Sequence, residues 1–479
     1  MVAAKDFTGL GLTGLTSDSR KVQPGFLFAA LPGSKTDGAR FLSDAVTRGA
    51  RAVLGRPEMA AEAASLGVAF IADENPRLRL ARMAAAFFGA QPGTVAAVTG
   101  TKGKSSIVAF LREIWAALGK SAASLGTVGV VGPKGERPLN HTTPDPVEIH
   151  HLLAELKRDG VEHLAIEASS HGLDQYRLDG VLVTAAAFTN ITRDHMDYHA
   201  TFQDYLNAKL RLFTEIVANG GVAVVNRDAE HADDFIIAAK RRGLTLLTVG
   251  ERGESLKLVS RHSKGDAQAL AIAHAGHTYN VTLPLAGAFQ ASNALVAAAL
   301  AIGLGEDAQK VIPILSRLKG APGRMEKVAF SISGAPIYVD YAHTPDSLEK
   351  VLKALRPHTE NKLHVVFGCG GDRDKGKRPL MGQIATALAD DVIVTDDNPR
   401  SENPATIRKE ILATAPKARE IGDRAEAIRA GIAALQRGDV LVLAGKGHET
   451  GQYVGTEVRP FSDREEAVKA ALALGGRAA

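Results

Sequence analysis

Thr99 to Ser106, TGTKGKSS, is the stretch of this chain with the plainest chemistry. Gly100 and Gly103 can take backbone angles that a Cβ forbids, so consecutive N–H groups can turn toward an anion. Lys104 has the reach to neutralise phosphate oxygens, and the Ser105 hydroxyl is a hard oxygen ligand for Mg²⁺. A helix starting here adds the positive end of its dipole. The full phosphate-loop pattern has a glycine five residues before Gly103, and that residue is Val98 here. The short motif alone therefore also allows a plain strand-to-helix turn. The setting favours phosphate: VAAV before the loop reads as a buried strand, and IVAFLREIWAAL after it reads as a helix.

Other residues could do chemistry at comparable places. Glu167 closes the apolar run HLAIE, where a carboxylate can hold a cation between phosphates; an N-cap or surface acid is the plainer reading. Ser169, Ser170 and His171 beside it favour the first. Asp194, His195, Asp197 and His199 crowd one loop, but without the ligand spacing of a zinc site. One histidine there suits a secondary Mg²⁺ ligand, while Asp197 and His199 are expected to cap the next helix. Lys209, in the amphipathic YLNAKLRLF, reads from its spacing as a solvated or salt-bridged lysine. Arg324, Asp340 and His343 fall near an expected domain junction, the usual place for ligand clefts. Arg373, Arg400 and Glu449 each follow a C-terminal strand. Such a set suits a zwitterion, because arginine grips a carboxylate with two N–H groups; a surface ion-pair network is the alternative. Cys369, in FGCGGD, reads as a small turn residue rather than a reactive thiol.

The elements that must position these residues alternate strand and helix. Residues 1–92 read as a small α/β domain with a possible substrate handle, or only a surface turn, at Ser17 to Arg20. GAQPG, Gly89 to Gly93, is a plausible linker. Residues 93–321 read as a central phosphate-loop domain with a mostly parallel sheet. Its strand ends place Thr99, Glu167 and Asn190 together. Residues 322–479 repeat the α/β style with strands APIYVD, KLHVVFG, DDVIVTDD and DVLVLAG, each ending in polar, glycine-rich sequence. The fold class expected is α/β in three domains, the last Rossmann-like.

Bulk properties agree. The chain has 479 residues, 45% hydrophobic and 23% charged, which predicts several domains rather than one core. A formal charge of +4 and the lack of long Lys/Arg runs give no sign of nucleic-acid or membrane-surface binding. Cys369 is the single cysteine, which excludes an intramolecular disulfide and favours a reducing compartment. No signal-like apolar core opens the sequence, and ALVAAALAIGLG is too short to span a bilayer. A cytoplasmic enzyme is the expectation.

Taken together, TGTKGKS, EASSHGLDQYR, NITRDHMDYH, NAKLRLF, GAFQASNALVAAA, GRMEKV, DYAHTPDSL and GCGGDRDKGKRP resemble, in order and over essentially the whole chain, the Mur ligase family of cell-wall synthesis. DNPR, residues 397–400, resembles the signature of members that add meso-diaminopimelate to UDP-N-acetylmuramoyl-L-alanyl-D-glutamate. The resemblance implies an ATP- and Mg²⁺-dependent amide ligase that works through an acyl phosphate, as a monomer. It implies that Gly100, Thr101, Lys102, Gly103, Lys104, Ser105 and Ser106 hold ATP phosphates, with Asn293, Arg324, Asp340 and His343 also contacting ATP. Ser105, Glu167, His195 and Lys209, the last as a carbamate, would serve Mg²⁺, and Lys104, Glu167, His195 and Lys209 would be catalytic. Ser19, Thr142, Thr143, Ser169, Gln175 and Arg177 would hold the UDP-muramoyl dipeptide. Arg373, Asp397, Asn398, Pro399, Arg400, Gly445 and Glu449 would hold diaminopimelate. Lys102, Gln290 and His141 depart from the asparagines common in the family. A lysine-adding or folate-type ligase of the same family, or a phosphate-loop switch without ligase chemistry, are the competing readings.

Overall fold

The computed structural model describes residues 8–33 and 37–479. The start of the expected first domain, residues 1–7, lies outside the described residues. The chain divides into two compact units, residues 1–104 with 115–247, and residues 105–114 with 248–479.

The first unit begins with a four-stranded parallel sheet, Gly14–Thr16, Phe26–Ala29, Ala52–Gly55 and Ala69–Ala72, in chain order. Successive side chains of a strand point to opposite faces. Leu27 and Leu54 accordingly pack with Leu80, Met83 and Ala84 of the helix Pro76–Phe88. Phe28 and Val53 pack with Leu42, Ala45, Met59 and Ala63 on the other side.

Its larger sheet carries the phosphate-loop strand at its centre. Five parallel strands run in the order Val217–Asn226, Val183–Phe188, Thr94–Thr99, His163–Glu167 and Ala122–Gly126. Thr94–Thr99 is buried almost throughout, as a strand covered on both faces must be. Val98 pairs with Glu167 and Thr99 with Phe188, so three strands end level with one another. Gly129–Gly132 and Gly135–Arg137 extend the edge antiparallel. The helix Phe202–Arg211 starts at Thr201, whose side chain accepts from the Asp204 N–H while Asp204 accepts from the Thr201 N–H. Thr201, not Asp197 or His199, is therefore the cap. His199 is instead buried, with its ring 5.3 Å from Tyr205.

The second unit contains two larger sets of strands and the two-stranded hairpin Gly451–Val454 with Glu457–Pro460. Leu256–Lys264, Ala267–His274 and His277–Leu283 form an antiparallel meander. The expected parallel alternation does not extend here, because two short turns join these strands where a parallel pair would need a long crossover. The other sheet runs Arg419–Glu420, Asp391–Val394, Leu363–Phe367, Val440–Ala444, Pro336–Asp340, Glu326–Phe330 and Arg477–Ala478. Its first five strands are parallel. Val365, Phe367, Val440 and Val442 face one core with Leu348, Leu352 and Met381. Val366, Leu441 and Leu443 face another with Ile428, Ile432 and Ala467. Val440–Ala444 lies between Pro336–Asp340 and Leu363–Phe367, so the chain reverses its direction of winding there. Ligands of open α/β sheets bind at the carboxyl ends of strands beside such a switch point. No described helix is long and apolar enough to cross a membrane.

Candidate active site

The phosphate loop is held open from beside it. Gly100 has φ +145°, and a Cβ there would lie 2.0 Å from Thr189 Oγ1. Only glycine fits. Thr189 Oγ1 and Asn190 Nδ2 both donate to the Lys102 carbonyl, at 2.6 and 3.1 Å, and Asn190 Oδ1 accepts from the Lys102 N–H at 3.0 Å. The Thr101 N–H donates to Asn190 O at 2.9 Å, and Thr101 Oγ1 lies 2.8 Å from the Tyr205 hydroxyl. Burial pushes that hydroxyl up to about 12, so it stays protonated. Gly103 has φ +92°, and the helix Lys104–Ala117 follows, opened by Lys104, Ser105 and Ser106. Lys104 Nζ donates to Gly100 O at 2.9 Å and Thr101 O at 3.1 Å.

Lys209 is not solvated, contrary to the reading of its spacing. It is buried, and its Nζ donates to Gly100 O at 2.9 Å and sits 4.5 Å from the Tyr205 ring centre. Tyr205 and Lys209 are four residues apart on one helix face. Burial, reinforced by the Lys104 charge, pushes the Lys209 amine far below the usual lysine range. That direction favours the neutral, nucleophilic form of the amine.

Glu167 is buried at the strand end. Thr127 N donates to its Oε1 at 2.8 Å and Thr127 Oγ1 to its Oε2 at 3.2 Å. The carboxylate fills a slot that a Cβ on Gly126 would occupy, 2.2 Å from Oε1. Thr99 Oγ1, one residue beyond the Val98–Glu167 pair, is buried with no partner among the described residues. Hard oxygen donors of this kind suit Mg²⁺. Among the described residues no three His, Cys, Asp or Glu side chains form a metal cage.

His195 has φ +57° and its N–H donates to Asp194 Oδ1 at 2.9 Å. Burial, Lys104 and Lys209 lower its pKa against the pull of Asp194, which favours the neutral ring near pH 7. Lys102, the unusual residue of the phosphate loop, has its Nζ 3.6 Å from Asp194 Oδ2. Burial raises the Asp194 pKa, but His195 and Lys102 outweigh it and hold the carboxyl below its usual range.

Five of the residues assigned to the muramoyl dipeptide come together. Thr143 Oγ1 donates to Glu167 O at 2.9 Å and accepts from Ser169 N and Oγ. Thr142 Oγ1 lies 3.0 Å from Thr127 Oγ1. Arg177 donates to Thr143 O at 2.6 Å and to Gln175 Oε1 at 2.8 Å. Ser19 stands apart from this network, buried in the turn Ser19–Lys21 that Asp18 caps.

In the second unit, Asn293 Nδ2 donates to Gln290 Oε1 at 3.1 Å, and Gln290 Nε2 to Arg324 O at 3.4 Å. The Arg324 guanidinium lies over the Tyr341 ring, which also meets the His343 ring at 4.6 Å between centres. Asp340 accepts from Met325 N and Ala342 N at 2.7 and 2.8 Å. Burial lowers the His343 pKa.

The strand ends of this unit gather the remaining set. Arg400 Nη1 donates to Gly371 O at 2.8 Å, and a Cβ on Gly370 would meet both Arg400 Nη1 at 2.8 Å and Arg373 Cγ at 3.9 Å. A Cβ on Gly371 would lie 1.9 Å from Pro399 O. Asn398 Nδ2 donates to Glu449 Oε2 at 2.9 Å. Gly445 has φ +118°, and a Cβ there would lie 2.6 Å from Asp397 Oδ2. The Arg400 guanidinium, the stem of Arg373 and the Glu449 carboxylate thus lie along a glycine-lined edge. Cys369 is buried against Met381, and its thiol is pushed up to about 12, which excludes a reactive thiolate.

Sequence reasoning missed Thr127, Thr189 and Tyr205. Tyr205 had a signal, its four-residue spacing from Lys209. Thr127 and Thr189 reach their partners across the sheet and had none. It also missed Arg424, buried with Asp463 at 2.7 Å and donating to Ala444 O at 3.0 Å.

Comparison with known proteins gives a consistent result. Three family profiles match: the Mur ligase family, catalytic domain over residues 11–88, the Mur ligase middle domain over 98–301, and the Mur ligase, glutamate ligase domain over 323–447. The UDP-N-acetylmuramoyl-L-alanyl-D-glutamate–2,6-diaminopimelate ligase of Bradyrhizobium diazoefficiens is 58% identical over 97% of this chain and 95% of its own length. The ligase of the same name from Mesorhizobium japonicum is 54% identical over 97% and 95%. A solved structure of a ligase of that name aligns with a TM-score of 0.73 and 35% identity, covering 97% of this chain and 95% of its own.

Proposed function

This chain belongs to the Mur ligase family, and on that premise we propose that it joins meso-diaminopimelate to UDP-N-acetylmuramoyl-L-alanyl-D-glutamate, at the expense of ATP and with Mg²⁺, in peptidoglycan precursor synthesis. The observation that carries the reading is the 58% identity to a diaminopimelate ligase over nearly the whole of both chains. Arg373 and Arg400 flanking Gly370 support the choice of amino acid, because a second carboxylate is what distinguishes diaminopimelate from lysine.

The chemistry follows from the weakness of a carboxylate as an acyl donor. The D-glutamyl γ-carboxylate attacks the γ-phosphorus of ATP, and ADP leaves. The amine of diaminopimelate adds to the acyl phosphate carbon. The tetrahedral intermediate then collapses, expelling phosphate and losing the amine proton. The loop from Gly100 to Ser106 would cradle the phosphates with the N–H groups at its helix end, those of Thr101 and Lys102 being taken by Asn190, and Lys104, resting on Gly100 O, has only to swing outward to reach them. Bound Mg²⁺ supplies charge neutralisation on the transferring phosphoryl group. Ser105, Glu167, His195 and Lys209 as a carbamate would hold it. Burial favours the neutral Lys209 amine, the form that can take up CO₂. Asn293, Arg324, Asp340 and His343 are assigned to the rest of ATP. Ser19, Thr142, Thr143, Ser169, Gln175 and Arg177 are assigned to the muramoyl substrate. Arg373, Asp397, Asn398, Pro399, Arg400, Gly445 and Glu449 are assigned to diaminopimelate. Residues 1–92, 93–321 and 322–479 are read as the UDP, ATP and amino-acid domains, working as a monomer in the cytoplasm.

The test is phosphate release from ATP with each substrate omitted in turn. Release that requires both the UDP-muramoyl dipeptide and diaminopimelate, and is at least ~10³-fold less efficient with lysine, is expected. Release that needs neither would replace the ligase by a nucleotide switch, and equal use of lysine would replace the amino acid.

A further inference from the structure

Lys446 follows the strand Val440–Ala444 and has no part in the roles assigned above. It is completely buried. Its Nζ donates to Asn398 Oδ1 at 3.0 Å, to Glu449 Oε2 at 3.2 Å and to Gly451 O at 2.7 Å. A lysine ammonium has three N–H groups and accepts nothing, so all three are used inside the protein. The side chain therefore acts through its neighbours and not on a ligand.

Its effect on Asn398 is directional. The two ends of an asparagine amide are nearly alike in shape and differ only in donating or accepting. Lys446 Nζ and the Tyr453 N–H, at 3.0 and 3.1 Å, both donate toward one end of it. That end must be the oxygen. Nδ2 is thereby aimed at Glu449 Oε2, 2.9 Å away. Glu449 Oε2 then receives two donors, Lys446 and Asn398, while its Oε1 accepts no hydrogen bond among the described residues. The same ammonium ties the start of the strand Gly451–Val454 to the 397–400 turn. That turn is further fixed by Arg400 N donating to Tyr453 O at 3.0 Å and Gly455 N to Arg400 O at 2.7 Å. One buried charge thus sets three segments that carry the proposed amino-acid site.

We propose that Lys446 is a positioning residue for amino-acid recognition: it locks the Asn398 amide and the Glu449 carboxylate in the orientation that leaves Glu449 Oε1 to accept from an ammonium group of the incoming diamino acid. This rests on the function proposed above. With Lys446 gone, Asn398 Oδ1 keeps only the Tyr453 N–H, and Glu449 loses the cation that holds Oε2. Affinity for the amino acid falls, while the phosphate loop, remote in sequence, keeps its own partners.

The experiment compares the full-length chain with Lys446→Met, which keeps the length of the stem and removes the donors, and with Lys446→Gln, which keeps two N–H groups. KM is measured separately for diaminopimelate, ATP and the UDP-muramoyl dipeptide. Lys446→Met is expected to raise the diaminopimelate KM by ~10-fold or more, with the other two within about twofold, the loss of a hydrogen bond to a charged group being of this size. Lys446→Gln should fall between it and the wild type. If Lys446→Met does not fold, Lys446→Gln carries the same test with a rise of about threefold or more. A folded variant with unchanged diaminopimelate KM, or with all three KM values raised together, would overturn the assignment. Absence of diaminopimelate-dependent turnover in the wild type would instead overturn the function itself, and this role with it.

Discussion

Gly126→Ala adds a single methyl group, and it lands on Glu167. An ideal Cβ at this position lies 2.2 Å from Glu167 Oε1 and 2.5 Å from its Cδ and Cγ. Carbon and oxygen do not approach so closely without covalent bonding, so the carboxylate must retreat by about 1 Å. Gly126 is not among the glycines with positive φ, so alanine brings no backbone strain of its own. The perturbation falls on the carboxylate. Moving it weakens the 2.8 Å bond from Thr127 N and the 3.2 Å bond from Thr127 Oγ1. Hydrogen bonds to a charged group contribute about 1.5–3 kcal/mol each. Loss of one such bond corresponds to roughly 10–100-fold in affinity, the range seen when groups supporting a metal ligand are removed. The assay is diaminopimelate-dependent phosphate release titrated with Mg²⁺ at saturating substrates. The apparent Mg²⁺ half-saturation should rise ~10–100-fold while the diaminopimelate KM stays near that of the wild type. An unchanged Mg²⁺ dependence in the folded variant would show that Glu167 does not serve the metal from this slot.

Three further outcomes can be checked. Arg400→Ala should lower kcat/KM for diaminopimelate by ~10³-fold, as expected for loss of a bidentate partner, with the ATP KM within about twofold; unchanged diaminopimelate kinetics would remove Arg400 from the site. Lys209→Ala should abolish ligation, and short-chain carboxylic acids added to it should restore part of the activity; full activity in the alanine variant would leave Lys209 a structural residue. Acid stability should depend on His150, whose pKa burial lowers from 6.5 to about 4. The unfolded chain binds this proton more readily than the folded one, so stability is fully present above pH 6.5 and is lost as pH falls toward 4. The loss is about 3 kcal/mol at 1.36 kcal/mol per pKa unit. Denaturant unfolding at pH 7 and 4.5 should show a smaller difference for His150→Gln than for the wild type, and equal differences would exclude His150 as a cause.

What could be read from sequence was what short segments determine. The phosphate loop announces itself because two glycines, a lysine and two hydroxyls act within eight residues, between an apolar strand and an apolar-periodic helix. Glu167 and the C-terminal arginines were legible because strands of a parallel sheet end on one side, so each polar residue after an apolar run points to the same edge. Lys209 was misread from its own spacing because its partner, Gly100 O, lies 109 positions away, and an amphipathic pattern says nothing about a cap of foreign backbone. Only the family resemblance pointed to it. Asp197 and His199 failed as caps because Thr201 and Asp204 form a better one between themselves. The strands from Leu256 to Leu283 were not distinguished from the parallel alternation around them, since burial that alternates along Ala267–His274 produces only a weak apolar signal. Lys102, whose identity was unexplained, has a physical role that no local rule supplies: its ammonium faces Asp194 across two loops.

In the proposed reaction the γ-carboxylate oxygen of the muramoyl dipeptide attacks ATP before the amine arrives. Labelling that carboxylate with ¹⁸O and analysing the released phosphate tests it directly. One labelled oxygen transferred to phosphate in each turnover, with equal amounts of ADP and amide product, is the predicted result. Amide product formed with unlabelled phosphate would contradict the account.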